Sequence, residues 1–213
     1  MYVPFAAFAL GGREPVVRVA SLVGRREQSR TQIVDPVGWR ERRRERRRLA
    51  CQDRLGAQLA ELTQIRDLVA DARKVVAAGW VQDAWFVSRD EHGNHRTVGV
   101  LRARRMESLP VDRACLVGAI LHASGGVAKA DTQLVQRTFD LTWHALNRDD
   151  HEPVRWCPAP PLRVQQLRDL VSWNDQAVRT SADVEALLRS AERVAEAEVE
   201  RGRHQLAALT DSR

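Results

Sequence analysis

The chain has 213 residues, which is enough for one domain with a buried core and too few for two domains without a clear boundary. Its 34 Lys and Arg residues outnumber its 28 Asp and Glu residues. Most of this excess lies in residues 1–48, which hold 12 Arg against 5 acids, whereas residues 49–213 hold 22 basic and 23 acidic residues. A protein that is basic over its whole surface is therefore excluded.

The three cysteines, Cys51, Cys115 and Cys157, are widely spaced and form no Cys-x-x-Cys pair. This pattern indicates neither a disulfide framework nor a zinc knuckle, and it favours a reducing compartment. The apolar stretch 3–10 lacks a preceding basic residue and contains Pro4, so it predicts neither a secretory signal nor a membrane span. We therefore expect a cytoplasmic protein without membrane contact, and no cofactor is indicated.

Residues 1–38 show no sustained hydrophobic period and mix glycine and proline with scattered arginine, as poorly ordered segments do. From Trp39 the pattern becomes helical, and it ends at Gly79, a residue type that commonly follows a helix. The sequence thus predicts two parts, a poorly ordered basic N-terminal arm over residues 1–48 and a single mainly helical domain over residues 49–213.

The apolar residues of this first helix recur at spacings of three and four and come close to a heptad series. They are Leu55, Leu59, Leu62, Ile65, Val69, Ala72 and Val76. Such a stripe either packs against the chain's own domain or pairs with a second copy of the chain. Packing within the domain is the favoured interpretation, and a homodimer through the 49–78 helix is the alternative.

Two short segments rich in aromatic and β-branched residues, 84–88 and 96–101, flank the turn-forming residues 90–94 and predict a β-hairpin. A lone hairpin is marginally stable in water, so this one is expected to lie against the helices. Pro110 and Asp112 predict the start of a short helix directly after the hairpin.

Three further helices follow. Asp131 is placed to cap the first, and a brief helix over 164–171 is expected after a run of prolines. Thr180 and Asp183 form a variant of the capping box and mark the start of the last helix. Its apolar stripe thins beyond Val199, so the end of the helix is expected either to project from the domain or to fray. The predicted fold class is mainly α, a small helical domain with one short β-hairpin and a long first helix.

The segment Trp173-Asn174-Asp175, interpreted as a turn and followed by Arg179-Thr180, is the most specific signal in the chain. Together with Gly79-Trp80, Gln82, Cys115 and Gly118-Ala119, it resembles an uncharacterised family of small actinobacterial and phage proteins of unknown function, over residues 64–195. The resemblance implies no activity. The family-motif residues, which we interpret as structural, are Trp80, Gln82, Cys115, Gly118, Trp173, Asn174, Asp175, Arg179 and Thr180.

Catalysis at this motif would need a base such as Asp175 together with a nearby nucleophile, histidine or glycine loop, and none accompanies it in the sequence. Cys115 is a candidate nucleophile, because a helix N-terminus lowers the pKa of a thiol. Its apolar neighbours favour a buried side chain instead. The sequence therefore indicates no catalytic residue.

A metal site would have to be assembled from distant ligands. Zinc ligands usually occur as close pairs, such as two histidines four residues apart on a helix. No such pair occurs among the candidate residues, which are Cys115, His122, His144, His151 and Cys157. No metal site is therefore predicted.

The densest charge lies in residues 40–48, which hold seven Arg and two Glu. As a helix, this segment could bind phosphates without sequence specificity. Pairing of Glu41 and Glu45 with arginines three residues further on would instead give a solvated helix, which is the favoured interpretation. The candidate nucleic-acid contacts are Arg40, Arg42, Arg43, Arg44, Arg46, Arg47 and Arg48.

Three functions stay open at this point. The first, and favoured, is a non-enzymatic factor that acts through protein contacts, in a regulatory or accessory role for a mobile or phage-derived element. The second is a nucleic-acid-associated protein that uses the Arg-rich segment 40–48. The third is an enzyme with a cleft near Cys115 and Trp173-Asn174-Asp175.

Overall fold

The computed structural model describes residues 36–90, 92–98, 111–148 and 152–211. These residues form five α-helices, α1 (Pro36–Ala78), α2 (Leu116–Ala123), α3 (Gln133–Asn147), α4 (Pro160–Asn174) and α5 (Ser181–Asp211). Three strands, β1 (Phe86–Arg89), β2 (His95–Val98) and β3 (Val111–Ala114), form one small sheet. The mainly helical fold with a long first helix is confirmed. The described residues from Glu41 onward belong to one compact unit, Glu41–Arg213.

The predicted division of the chain at residue 48 stays a prediction, because residues 1–35 lie outside the described part. Helix α1 continues through this position without a break. No described helix combines the length and the apolar character that a membrane span needs.

Helix α2 lies at the centre of the core, since every residue from Leu116 to Leu121 is buried. It packs against α3 and α4, and α3 packs in turn against α4 and α5. The apolar stripe of α1 completes the core with Leu62, Ile65, Val69, Ala72 and Val76. These heptad positions therefore pack within their own domain, as favoured by the sequence, while Leu55 and Leu59 are half-buried.

Helices α1 and α5 run antiparallel. Arg73 of α1 donates to Glu192 of α5 at 2.7 Å. Further along α5, a Cβ atom on Gly202 would lie only 2.7 Å from a methyl carbon of Leu59 in α1. A glycine at this position allows the two helices to approach closely. Beyond Val199, α5 continues as a helix to Asp211 and most of its residues are exposed, so this end projects, which is one of the two expected outcomes, and does not fray.

The predicted hairpin is present as β1 and β2, which pair antiparallel with Phe86 opposite Val98. The carboxylate of Asp90 closes the turn by accepting from the backbone N–H groups of His92 and Asn94, each at 2.9 Å. Residues 99–101 of the predicted second strand lie outside the described residues.

The short helix predicted after the hairpin is present as α2, but it begins at Leu116, and a third strand lies where its start was predicted, at Asp112. β3 pairs antiparallel with β1, and Asp112 accepts from Arg89 of that strand at 3.2 Å. The predicted start of the helix was wrong because the segment Val111–Ala114 gains its backbone hydrogen bonds from β1, which local propensity does not reveal.

Two other boundaries also differ from the sequence expectation. Thr132, not Asp131, precedes the first residue of α3. Helix α4 begins at Pro160 instead of 164, because a proline is tolerated in the first helical turn, where its missing N–H has no partner to lose. It also ends at Asn174, so Trp173 and Asn174 are helical, and their assignment to a turn was wrong.

We predict that Gly118→Ala lowers the free energy of unfolding by at least about 2 kcal/mol, since overpacking of this kind costs 1–3 kcal/mol. A Cβ atom on Gly118 would lie 2.1 Å from the backbone oxygen of Trp85, so backbone must move. The matched control is Gly56→Ala in α1, where a Cβ meets nothing within 4 Å. That control should stabilise the protein by up to about 1 kcal/mol. Equal effects of both substitutions in urea unfolding would contradict the packing described.

Candidate functional site

Most of the family-motif residues come together where three segments of the chain meet. These are the loop after α1, the first turn of α2 and the C-terminal end of α4. We call the residues whose hydrogen bonds join these segments the Asn174 cluster. Its members are Trp80, Gln82, Asp83, Leu116, Asn174 and Asp175.

Asn174 is the centre of this cluster, and only 1% of its surface is exposed. Its Oδ1 accepts from the indole N–H of Trp80 at 3.0 Å and from the backbone N–H of Leu116 at 3.1 Å. Its Nδ2 donates to the carboxylate of Asp175 at 2.7 Å and to the backbone oxygen of Val81 at 3.4 Å. A side-chain amide has two donor and two acceptor positions, so all four are used inside the protein.

The loop after α1 is held by three further hydrogen bonds. Gln82 donates from Nε2 to the backbone oxygens of Asn174 and Gln176, at 3.1 and 2.7 Å. Asp175 accepts from the backbone N–H of Asp83 at 3.1 Å. Asp83 has φ +59°, a conformation that non-glycine residues rarely adopt, and this hydrogen bond helps to hold it. The amide of Asn174 and the amide of Gln82 thus fix the same loop from both sides.

Backbone contacts bring the start of α2 against the same loop. The N–H of Cys115 donates to the backbone oxygen of Trp85 at 3.1 Å, and the N–H of Ala114 donates to that of Gly79 at 3.0 Å. Gly118 lies directly against Trp85, which explains why a residue without a side chain occurs there. The Gly118 position of the motif is therefore required by close approach of two backbones.

Cys115 occupies the N-cap of α2, and its Sγ accepts from the N–H of Gly118 at 3.3 Å. Burial raises the pKa of the Cys115 thiol to about 11, even though the hydrogen bond to Gly118 lowers it. Cys115 is buried, as its apolar neighbours in the sequence indicated, and the loss of solvation outweighs the hydrogen bond from Gly118. At neutral pH the thiol is protonated and is a weak nucleophile.

The remaining motif residues mark the start of α5. The guanidinium of Arg179 lies over the ring of Trp173, 4.5 Å from its centroid. Thr180 and Asp183 form the predicted capping box, in which Asp183 accepts from the N–H and the hydroxyl of Thr180, each at 2.9 Å. These hydrogen bonds lower the pKa of Asp183.

The candidate metal ligands do not form a ligand set. In the described ranges, no group of three or more His, Cys, Asp or Glu side chains is placed to hold a metal ion. Cys115 and Cys157 are buried, His122 is exposed, and His151 lies outside the described residues. His144 is buried with no partner on Nε2.

A second buried polar contact was missed by the sequence analysis. The carboxylate of Asp140 in α3 accepts twice from the guanidinium of Arg163 in α4, at 2.9 and 3.0 Å, and once from the N–H of Cys157 at 3.2 Å. The contact secures the segment between α3 and α4. No local sequence signal marks it, since the partners are 23 residues apart and neither lies in a recognised motif.

The Arg-rich segment, residues 40–48, makes few contacts with the described part of the domain. It forms part of α1, and all residues from Arg40 to Arg47 are exposed. Arg48 is half-buried and donates to Glu45 at 2.7 Å, as one of the predicted ion pairs requires. The accessible positive charge of this segment therefore lies on the exposed arginines from Arg40 to Arg47.

The model of a family of unknown function, DUF6197, matches residues 60–194. The chain therefore belongs to this family, and the matched range contains every residue of the Asn174 cluster but not the Arg-rich segment. No curated protein matches the chain. No solved structure matches it either.

We predict that Asn174→Ala lowers the free energy of unfolding by on the order of 3–5 kcal/mol, because buried polar groups left without partners cost about 1–3 kcal/mol each. The substitution removes the acceptor of Trp80 and Leu116. Ser172→Ala, on an exposed position of the same helix, serves as the control and should change stability by less than about 0.5 kcal/mol. A loss below about 1 kcal/mol for Asn174→Ala would show that the amide does not hold the three segments.

We further predict that the protein loses stability as the pH falls below 6.5, in part through His144. Burial lowers the pKa of His144 from its ordinary value of 6.5, so the folded state keeps it neutral while the unfolded state becomes protonated. The contribution of neutral His144 to the free energy of unfolding is present above pH 6.5, and it is lost as the pH falls toward the pKa of His144 in the folded state. Urea unfolding of His144→Gln between about pH 7 and pH 5 should show a weaker pH dependence than the parent protein. An unchanged pH dependence would show that His144 does not contribute to the loss of stability in acid.

Proposed function

We propose that this protein is a cytoplasmic, non-enzymatic protein that binds nucleic acid through the exposed arginines of α1. The observation that carries the proposal is the separation of charge around this helix. Glu41, Glu45, Arg48, Gln52, Leu55 and Leu59 follow one another at alternating spacings of four and three, so they lie on one face. The last four are half-buried, and every other residue between 41 and 59 is exposed.

The other side of the helix carries Arg42, Arg43, Arg44, Arg46 and Arg47, none of which lies on the face that packs. The two acids of the segment lie on the packing face, where Glu45 is paired with Arg48. The side of residues 41–48 that is turned away from this face therefore carries five arginines and no acid. Such a surface attracts phosphate groups and releases counterions on binding.

The interior of the protein supports a non-enzymatic role. All four hydrogen-bonding positions of Asn174 are used within the fold. The thiol of Cys115 is held in its protonated form by burial. An enzyme with a cleft at these residues would need a free reactive group, so these observations favour a structural role for the motif and a binding role for α1.

The proposal is tested by fluorescence anisotropy with labelled nucleic acid between about 50 and 300 mM salt. The variant carries Arg42→Gln, Arg44→Gln, Arg46→Gln and Arg47→Gln. The control carries Arg168→Gln, Arg189→Gln, Arg193→Gln and Arg203→Gln, which change the net charge equally at exposed helical positions away from α1.

We predict that only the α1 variant loses affinity, and that the slope of log K against log salt becomes shallower by up to about 3.6, at about 0.9 per lost phosphate contact on a duplex. Equal losses in the two variants would contradict the proposed surface and reduce binding to a net-charge effect. Absence of binding by the parent protein at low salt would reject nucleic acid as the partner and leave an acidic protein surface as the alternative.

A further inference from the structure

Building on the nucleic-acid contact proposed above, we propose that the partner is duplex DNA and that residues 41–48 enter its major groove as a helix. The segment is already helical, continuous with the part of α1 that packs in the core, and exposed from Arg40 to Arg47. No folding step is therefore needed to present it.

The dimensions of the helix and the groove agree. An α-helix with its side chains is about 10–12 Å across, and the major groove of B-form DNA is about 12 Å wide. The major groove of A-form RNA is deep and narrow and does not admit such an element. The segment is thus fitted to a DNA duplex in preference to an RNA duplex.

The arginines cover more of the helix than one strand can contact. At 3.6 residues per turn, Arg42, Arg46, Arg43, Arg47 and Arg44 follow one another around about 200° of the circumference. A single strand lying along the helix reaches only a part of this arc. In a groove, phosphates of two strands flank the helix on opposite sides, so both edges of the arc are used.

The order of residues around the arc assigns them to different parts of the groove. Arg42 and Arg46 lie at one edge and Arg44 lies at the other, where they face the two phosphate backbones. Arg43 and Arg47 lie between them and face the floor, where a guanidinium can donate to O6 and N7 of guanine. Glu41 and Glu45 lie opposite the floor, away from the phosphates.

The composition of α1 argues against a single strand in a second way. Binding of single strands relies on aromatic side chains that stack with successive bases, in addition to positive charge. The chain has no Phe, Trp or Tyr from Glu41 to Gly79. Trp39, just before this range, is the one aromatic residue of α1, and a single ring cannot stack with successive bases.

The test uses the full chain with three probes of one sequence: a DNA duplex, an RNA duplex and a single DNA strand. We expect the DNA duplex to bind at least about tenfold more tightly than either of the others at equal salt. Dimethyl sulfate footprinting should show protection of guanine N7, which faces the major groove, and not of adenine N3, which faces the minor groove.

A pair of neighbouring substitutions makes the test residue-specific. Arg47→Gln should weaken duplex binding by about tenfold, as the loss of one guanidinium contact to a base does. Arg48→Gln should weaken it by much less, because Arg48 is paired with Glu45 on the packing face. Circular dichroism of both variants checks that α1 is retained.

The outcomes separate the two proposals. Equal affinity for the duplex and the single strand, or binding without protection of guanine N7, overturns the groove model while the nucleic-acid contact stands. Protection of adenine N3 alone would place the helix in the minor groove and also overturn it. No binding to any of the three probes would reject both proposals.

Discussion

The side-chain amide of Asn174 is the contact on which the arrangement of this domain depends. Three segments that are distant in sequence present one indole N–H, two backbone groups and a carboxylate to it. Aspartate could not donate to Val81, and glutamine would place its amide one methylene further from the helix. Only asparagine has the length and the donor and acceptor set that this position requires.

Polar side chains also join other pairs of helices in this domain. Asp140 and Arg163 join α3 to α4, and Arg73 and Glu192 join α1 to α5. A buried ion pair adds little net stability, because desolvation offsets most of the attraction, but removal of one partner leaves an uncompensated charge. We infer that these contacts select the packing of the helices, while burial of the apolar stripes supplies the free energy.

Much of the fold could be predicted from periodicity and capping. The stripe of α1, the hairpin and the capping box at Thr180 each follow from residues close together in sequence. Strand β3 and the true extent of α4 could not be predicted, because the first depends on pairing with β1 and the second on two prolines that begin a helix as readily as they break one.

The candidate site, like the fold, could be predicted from the sequence only in part. The motif residues could be selected from sequence, but not the fact that one amide joins them, since hydrogen bonds over 94 residues leave no local signal. The arginines of residues 40–48 were evident as charge, whereas the separation of five of them from the packing face became visible only with the burial of Gln52 and Leu55. The residues that join the segments of the domain are thus different from the arginines that we propose to contact nucleic acid.

The central claim, that Asn174 joins the chain through its direct contact with Trp80, is tested most directly by a double-mutant cycle of Trp80→Phe and Asn174→Ala. The measurement is the free energy of unfolding of the parent protein, the two single variants and the double variant. The two substitutions should couple by about 1 kcal/mol or more, since residues in one hydrogen-bond network do not contribute independently. Additivity within about 0.3 kcal/mol would contradict the account.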